Sequence, residues 1–330
     1  MVVIYREEDA DLQVLAGRKI GVIGYGNLGR PIALNLRDSG LDVIVGLRDL
    51  TPERLEEVTD DGFAALEVGE VVDRADILLL LVPDEVLPEV FIDQIAGRLR
   101  RGHTLILASG YNVRYNNIEA PSFVDVGLIA PRTFGPAVRA RYLNAEGFFS
   151  FVAVAQDASG QIWPTMLALA LAMGSLRKGA LELTIEQETE IDLFIQQAVL
   201  PGVYRILTAA AGLLLNRGYP PEAVMLDLTM SGELIDYLQN AGDAGLIGAL
   251  RQVSLTEQYG VLSRAARLDE MKLERLMERS LEEILEGGFQ KEWSREYSRG
   301  YPNLLKWLAS QEKLELWELE QETLNLLRRV

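Results

Sequence analysis

The sequence predicts an α/β N-terminal domain of Rossmann type, with a doubly wound, mainly parallel sheet, followed by an all-α C-terminal domain. Three observations carry this prediction. A glycine-rich turn sits between a short apolar run and a helical pattern near the N terminus. Apolar strand-like runs alternate with helical segments through the first half. From about Gln161 onward a 3.6-residue periodicity dominates and strand signals nearly vanish. The division falls near Arg177-Lys178-Gly179, which gives residues 1–180 to the dinucleotide-binding domain and residues 181–330 to the helical one.

Taken in order, Tyr5 to Asp11 reads as a polar lead-in, and Ile20 to Ile23 as a short β-run. Gly24-Tyr25-Gly26-Asn27-Leu28-Gly29 then spells G-x-G-x-x-G. Such a turn needs one glycine for the bend, one for backbone approach to a pyrophosphate, and one for close helix–strand packing. Ile32, Ala33 and Leu36 give the following helix its apolar face, Ser39-Gly40 stops it, and Val43 to Val45 reads as a buried strand. The bare glycine triplet is weak evidence in a chain of 330 residues with 29 glycines. The strand, turn, helix and strand in the right order within about 30 residues make it specific. Thr51-Pro52-Glu53 has the form of a helix start, with a capping hydroxyl, Pro at the first helical position and then an acid. Ile77 to Val82 is continuously apolar, as a strand covered on both faces must be. Thr104 to Ala108, Val124 to Ile129 and Phe149 to Ala155 are further strands. In the second half, Trp163 to Met173, Glu188 to Leu215, Pro221 to Asn240, Met271 to Glu286 and Gln311 to Arg329 read as helices.

Composition removes several function classes. The formal charge is −17, from 49 acidic and 32 basic residues, which argues against nucleic acid or an anionic membrane as partner. There is no cysteine, so disulfides, thiolate nucleophiles and Cys-ligated zinc are excluded. The single histidine, His103, lies in a polar stretch and reads as a solvated loop residue. No charged-then-apolar signal opens the chain, and runs such as Ile77 to Val82 are too short to span a bilayer. A cytoplasmic, acidic protein is the expectation.

At the cofactor end, the second strand runs into Arg48, Asp49, Thr51 and Arg54. Two guanidiniums suit a 2′-phosphate, whereas Asp49 opposes it. NADP(H) is therefore favoured over NAD(H).

From Tyr5 to Arg48 the chain closely resembles the ketol-acid reductoisomerases, whose hallmark is GYG-x-x-G running into ALNLRDSG and VGLR. Ala33 to Gly40 and Gly46-Leu47-Arg48 match it. The similarity continues through Leu81 to Glu85, Gly110-Tyr111-Asn112, Ile129-Ala130-Pro131 and Gln156 to Gly160. In the helical half it appears at Glu188-Thr189-Glu190, Asp192-Leu193-Phe194, Ser254, Thr256 and Tyr259-Gly260, so it covers essentially the whole chain. The resemblance implies a Rossmann domain plus a knotted helical domain for substrate binding and dimerisation, hence a homodimer or higher homo-oligomer. It adds Val82, Pro83 and Ser109 to the cofactor-binding set of Gly24, Tyr25, Gly26, Asn27, Leu28, Gly29, Arg48, Thr51 and Arg54. It also implies a reaction in which two Mg²⁺ ions drive an alkyl shift in an acetohydroxy acid before NADPH reduces the product.

The residues carrying that chemistry depart from the family. Its magnesium cage is four carboxylates in two pairs, each pair four residues apart on one helical face. Here the pairs read Asp192 with Gln196 and Asp227 with Ser231. The family's A-H-G-F-N becomes Ala108 to Asn112, with Ser109 in place of histidine. Its A-P-K-G-P-G-H becomes Ala130 to Pro136, with Arg132 for lysine and Pro136 for the second histidine. Hard divalent cations want anionic oxygen, so no metal site is expected, with Asp192 and Asp227 the weak candidates.

The sequence therefore points to an NAD(P)H-dependent reductase of a small keto acid or imine that has dropped the alkyl migration. Asp192 is the candidate proton donor and Arg132 the candidate oxyanion or carboxylate receptor. Ser254 keeps the family's substrate-carboxylate position, and Asp227 completes the candidate catalytic set. A genuine ketol-acid reductoisomerase with a reduced Mg²⁺ site, and a noncatalytic NAD(P)-binding homologue, are the alternatives.

Overall fold

The computed structural model describes residues 2–265, 267–268 and 272–327. Contacts divide the chain into two compact units, one ending at Ile191 and one beginning at Asp192.

The first unit is built on one nine-stranded sheet. Its strands are β1 (Ile4–Tyr5), β2 (Lys19–Ile23), β3 (Asp42–Leu47), β4 (Ala65–Glu67), β5 (Ile77–Leu80), β6 (Thr104–Leu107), β7 (Asp125–Pro131), β8 (Phe149–Gln156) and β9 (Gly179–Glu182). They lie in the order β1-β9-β8-β7-β6-β5-β2-β3-β4. The run from β4 to β7 is parallel throughout. β8 joins β7 antiparallel, β9 joins β8 parallel, and β1 closes the edge antiparallel to β9. β5 is buried at every position, which is why its sequence shows no polar alternation.

Helices cover both faces. They are α1 (Gly29–Asp38), α2 (Pro52–Asp60), α3 (Val68–Arg74), α4 (Leu87–Val90), α5 (Tyr111–Arg114), α6 (Gly135–Leu143) and α7 (Ile162–Met173). One core joins Ile20, Val22, Ile32, Leu36 and Met166; the other joins Val71, Leu78, Leu80, Phe91 and Leu105. Two cores, one on each side of a parallel sheet, are the doubly wound arrangement. The strand order reverses between β2 and β5, and that switch point is where such sheets place ligands.

The second unit is helical. α8 (Ile185–Phe194) leads into it, followed by a π-helical turn at Ile195–Val199 and then α9 (Leu200–Asn216). α10 (Pro221–Met225) runs into a second π-helical turn at Leu226–Met230. Next come α11 (Glu233–Ala244), α12 (Leu246–Leu250), α13 (Leu255–Ala265), α14 (Leu273–Leu285), α15 (Gly288–Ser298), α16 (Pro302–Gln311) and α17 (Glu315–Leu327). Ala211, Val224 and Met225 form a small core there, while Leu213, Leu234, Leu255, Trp307 and many other large apolar side chains are exposed.

Several sequence expectations change. Tyr5 is not in a polar lead-in: β1 pairs with β9, a strand that falls where the sequence suggested only a domain boundary. The expected helix from Pro221 to Asn240 is interrupted at Ser231-Gly232, because Gly232 adopts φ 88°, a left-handed conformation that ends regular helix. Of the two C-terminal helices, Met271 and Arg329 lie outside the described residues, and Gln311 closes α16 rather than opening α17. His103 is no solvated loop residue. It is 1% exposed, and its ring interacts with the Arg100 guanidinium. Burial, reinforced by the Arg100 charge, pulls its pKa from 6.5 to about 4. The sequence showed no apolar run long enough for a membrane, yet Ile185–Asn216 forms a 32-residue helix long and apolar enough to cross one by length and composition. Its interspersed polar residues hid that length from a search for continuous apolar runs.

Candidate active site

At the switch point the ends of β2, β3, β5 and β6 open onto a cavity of about 670 Å³. Gly24 to Leu28 line it after β2, Leu47 to Asp49 after β3, Leu80 to Asp84 after β5 and Leu107 to Ser109 after β6, with Thr51 and Arg54 on the rim. Every residue expected to bind cofactor lies on this lining except Gly29, which is buried at the start of α1.

The glycine turn explains its own spacing. Gly24 takes φ 99° and packs so closely on the residue after β5 that a Cβ there would stand 2.7 Å from the Leu81 carbonyl oxygen. A Cβ on Gly29 would stand 1.9 Å from the Gly24 carbonyl oxygen, so only glycine lets α1 begin at this point. Space is open around Gly26, and no side chain caps α1. Open backbone facing an uncapped helix N terminus is an anion-binding arrangement, and it fits the pyrophosphate of a dinucleotide.

At the end of the cavity next to β3, Thr51 caps α2 by accepting from the Arg54 N–H at 3.5 Å. Each expected phosphate ligand already has a carboxylate neighbour: Arg48 bonds to Asp49 at 3.2 Å and Arg54 to Glu57 at 3.0 Å. All of these pairs are at least partly exposed and hence weak, so they can be exchanged for a bound phosphate.

At the other end of the cavity, Ser109 Oγ donates to Asp84 Oδ2 at 2.9 Å. Asn112 Nδ2 donates to both the Asp84 carbonyl and Asp84 Oδ1 at 3.0 Å. Asp84 thus fixes the Ser109 hydroxyl. The Leu81 to Glu85 motif contained Asp84, but nothing in the one-dimensional pattern tied it to Ser109.

Arg132 follows a different route. It leaves the end of β7, packs over the Phe151 ring at 4.9 Å and pairs with Glu188 Oε1 at 3.6 Å. Glu188 is 1% exposed and accepts the Gly110 N–H at 2.9 Å. A Cβ on Gly110 would collide with Thr189 Oγ1 at 2.5 Å and Glu188 Oε2 at 2.9 Å, so the glycine is required by this contact. Arg132 is off the lining of the cavity, and its charge is met by a buried carboxylate. Glu188 was missed as a site residue; its only signal was its place in the Glu188-Thr189-Glu190 motif.

In the second unit, Asp192 lies near the end of α8, half-buried, and accepts a 2.7 Å hydrogen bond from Gln196 Nε2. The spacing of four does bring the pair together. The flanking apolar residues do not enclose the carboxylate: Ile191 is 43% and Ile195 41% exposed, and only Leu193 is buried. Asp227 is exposed in the second π-helical turn. Ser231 accepts from the Glu233 N–H at 3.3 Å and starts α11. Ser254 forms a reciprocal capping box with Glu257, at 3.2 Å and 2.9 Å, at the start of α13. Among the described residues, no three His, Cys, Asp or Glu side chains converge as a metal-holding group.

Comparison with known proteins decides the ancestry. Residues 14–179 match the family described as acetohydroxy acid isomeroreductase, NADPH-binding domain, and residues 185–328 match ketol-acid reductoisomerase, C-terminal domain. The chain belongs to the ketol-acid reductoisomerase family. It is 41% identical over 275 residues to the ketol-acid reductoisomerase (NADP(+)) of Pyrobaculum calidifontis, covering 82% of this chain and 83% of that one. It is 38% identical over 328 residues to the ketol-acid reductoisomerase (NAD(P)(+)) of Metallosphaera sedula, covering 99% and 96%. A solved NADH-preferring ketol-acid reductoisomerase from an uncultured archean superposes with a TM-score of 0.92 at 31% identity, covering 98% of this chain and 99% of that one. Fold class and family are thus those expected from the sequence, and the chain is an oxidoreductase enzyme of the nicotinamide-dependent type.

Proposed function

We propose that this protein is an NADPH-preferring reductase of a small, carboxylate-bearing keto acid or imine, which no longer performs the two-magnesium alkyl migration. The observation that carries the reading is the donor set on the two helical turns. Of four positions that are carboxylates in the family, Gln196 and Ser231 are neutral, and the Asp192 carboxylate is engaged by the Gln196 amide. Mg²⁺ is bound through carboxylates and waters in octahedral geometry, and a pair of such ions brings four positive charges. One carboxylate per pair does not balance them, so the residues do not fit a dinuclear centre.

The glycine turn and uncapped α1 do fit a dinucleotide, whose nicotinamide ring supplies hydride when bound. Gly24 to Gly29 hold its pyrophosphate; Arg48, Thr51 and Arg54 hold the adenosine phosphate; Val82, Pro83 and Ser109 wall the nicotinamide end. Asp192 is assigned the proton that the reduced oxygen or nitrogen takes up. Ser254 is assigned the substrate carboxylate. Asp227 lies on the second turn, and Arg132, neutralised by Glu188, serves the site by holding the β7 end rather than as a free anion receptor. In this reading residues 1–180 bind coenzyme, and residues 181–330 supply substrate contacts and a homodimer face, for which the exposed apolar helices provide the surface. The cytoplasm is the assigned location.

The second reading is ketol-acid reductoisomerase proper. It is supported by the activity named for the Pyrobaculum, Metallosphaera and archean relatives, which supports it more directly than it does the first reading. The same relatives divide between NADP(+), NAD(P)(+) and NADH preference, so the NADPH assignment rests on Arg48 and Arg54. One assay separates the readings: NADPH and NADH consumption with 2-acetolactate, simple 2-keto acids and cyclic imines, with Mg²⁺ and then with EDTA. Turnover of a keto acid or imine that survives EDTA is expected. Turnover of 2-acetolactate that EDTA abolishes would establish the second reading instead.

A further inference from the structure

The helix that carries the adenosine rim is poorly anchored by apolar packing. α2 buries only Val58 completely, and most of its other side chains are exposed. Its N-terminal end bears Thr51 and Arg54, so its placement sets the rim of the cavity.

Polar contacts at its far end hold it. Asp61, the C-terminal cap of α2, accepts from Tyr25 Oη at 2.8 Å and from Arg30 Nε and Nη2 at 2.6 Å and 3.1 Å. Arg37 donates to the Asp61 carbonyl, and Phe63 packs edge-on against Tyr25 at 5.9 Å. Tyr25 is the second residue of the glycine turn, and Arg30 lies in the first turn of α1. The charges are placed against the helix dipoles: a cation at the positive N terminus of α1 and an anion at the negative C terminus of α2. Each is disfavoured alone, and each supplies the other's counter-charge. The contact therefore specifies one placement of α2 relative to the turn. The network runs on, because Arg30 also approaches Glu57 at 3.6 Å, and Glu57 holds Arg54 at 3.0 Å. The Arg30 hydrogen bond, supported by Tyr25, keeps the Asp61 carboxyl below the usual carboxylate range, so it stays ionised at neutral pH.

We infer that Asp61 is a positioning residue for coenzyme choice: although off the cavity lining, it locks the α2 rim to the glycine turn and so sets how well Arg54 and Thr51 meet a 2′-phosphate. The inference rests on the reading that this cavity takes a nicotinamide dinucleotide. A nine-residue helix is about 13 Å long, so a small tilt at Asp61 moves its other end by more than a hydrogen bond tolerates. NADPH, which uses that end for its extra phosphate, loses more than NADH does.

The test titrates NADPH and NADH into the full-length wild type, Asp61→Asn and Tyr25→Phe by calorimetry, with thermal melts alongside. Asp61→Asn is expected to weaken NADPH about tenfold and NADH about threefold or less, lowering the preference ratio at least about threefold. Tyr25→Phe, which deletes one hydroxyl, is expected to lower the ratio about twofold. Asp61→Glu, which keeps the charge, is expected to recover part of the loss. Equal weakening of both dinucleotides, as a purely structural role would give, overturns the inference while leaving the cofactor reading intact. If Asp61→Asn does not fold, an unchanged ratio in Tyr25→Phe overturns it. A wild type that binds neither dinucleotide overturns the cofactor reading itself.

Discussion

The cofactor cavity and the two π-interrupted turns of the helical unit were inherited together, but they differ in how far their side chains are committed. In the cavity, each position does the task its place in the fold demands: Gly24 makes the bend, Gly29 admits α1, and Ser109 is held by Asp84. On the helical side, the corresponding residues make local contacts. Gln196 bonds to Asp192, Ser231 starts a helix, and Ser254 caps one. A backbone-dictated site is hard to alter without losing the fold, because Gly24 and Gly29 answer to steric contacts under 3 Å. A side-chain-dictated site on exposed helices can lose its ligands with no structural penalty. On the proposed reading, ancestry and chemistry part company within this one chain.

The largest expected effect is on the cavity side. Gly29→Ala forces a Cβ against the Gly24 carbonyl oxygen and is expected to cost about 3 kcal/mol of stability or to abolish NADPH binding. Calorimetry and a urea melt check it; near-wild-type behaviour in both would mean that the turn is less constrained than its contacts indicate. On the helical side, Asp192→Asn is expected to lower turnover at least about tenfold if the carboxyl delivers the proton. The measurement is kcat with the best keto acid or imine, with NADPH affinity followed as the control. Unchanged turnover would make Asp192 a structural acid.

The smallest effect concerns the far end of the same sheet. His103 titrates near 6.5 when unfolded and at about 4 when folded. Between those values the unfolded chain takes up a proton that the folded protein refuses. The stability contribution is complete above about pH 6.5 and falls as pH drops toward 4. Unfolding free energies from urea melts are expected to fall more for the wild type than for His103→Gln, by about 2 kcal/mol between pH 7 and pH 5. Parallel profiles would show that the ring is hydrated after all.

What the sequence revealed follows the range of each contact. The turn from Gly24 to Gly29, the β-runs and the helical half were legible because their signals are local: spacing, periodicity and caps. Asp84, Glu188 and Asp61 were not, because each acts on a residue 25 or more positions away, at Ser109, Gly110 and Tyr25 respectively. His103 was misread because its neighbours in sequence are polar while its neighbours in space exclude water. Arg132 was legible as a charge but not as a paired one, since Glu188 approaches it from another element. Gln196 and Ser231 stand out only against the pattern of the family the sequence resembles, because a neutral residue on a helix face gives no signal by itself.

The central claim, that the cofactor site is kept and the dinuclear metal site is lost, is tested most directly by titrating Mg²⁺ into the NADPH-loaded protein. The comparison is the wild type against the triple variant Gln196→Glu, Asp227→Glu, Ser231→Glu. No saturable two-site binding is expected in the wild type, and new Mg²⁺ binding is expected in the triple variant. Two-site binding in the wild type, unchanged by the three substitutions, would contradict it.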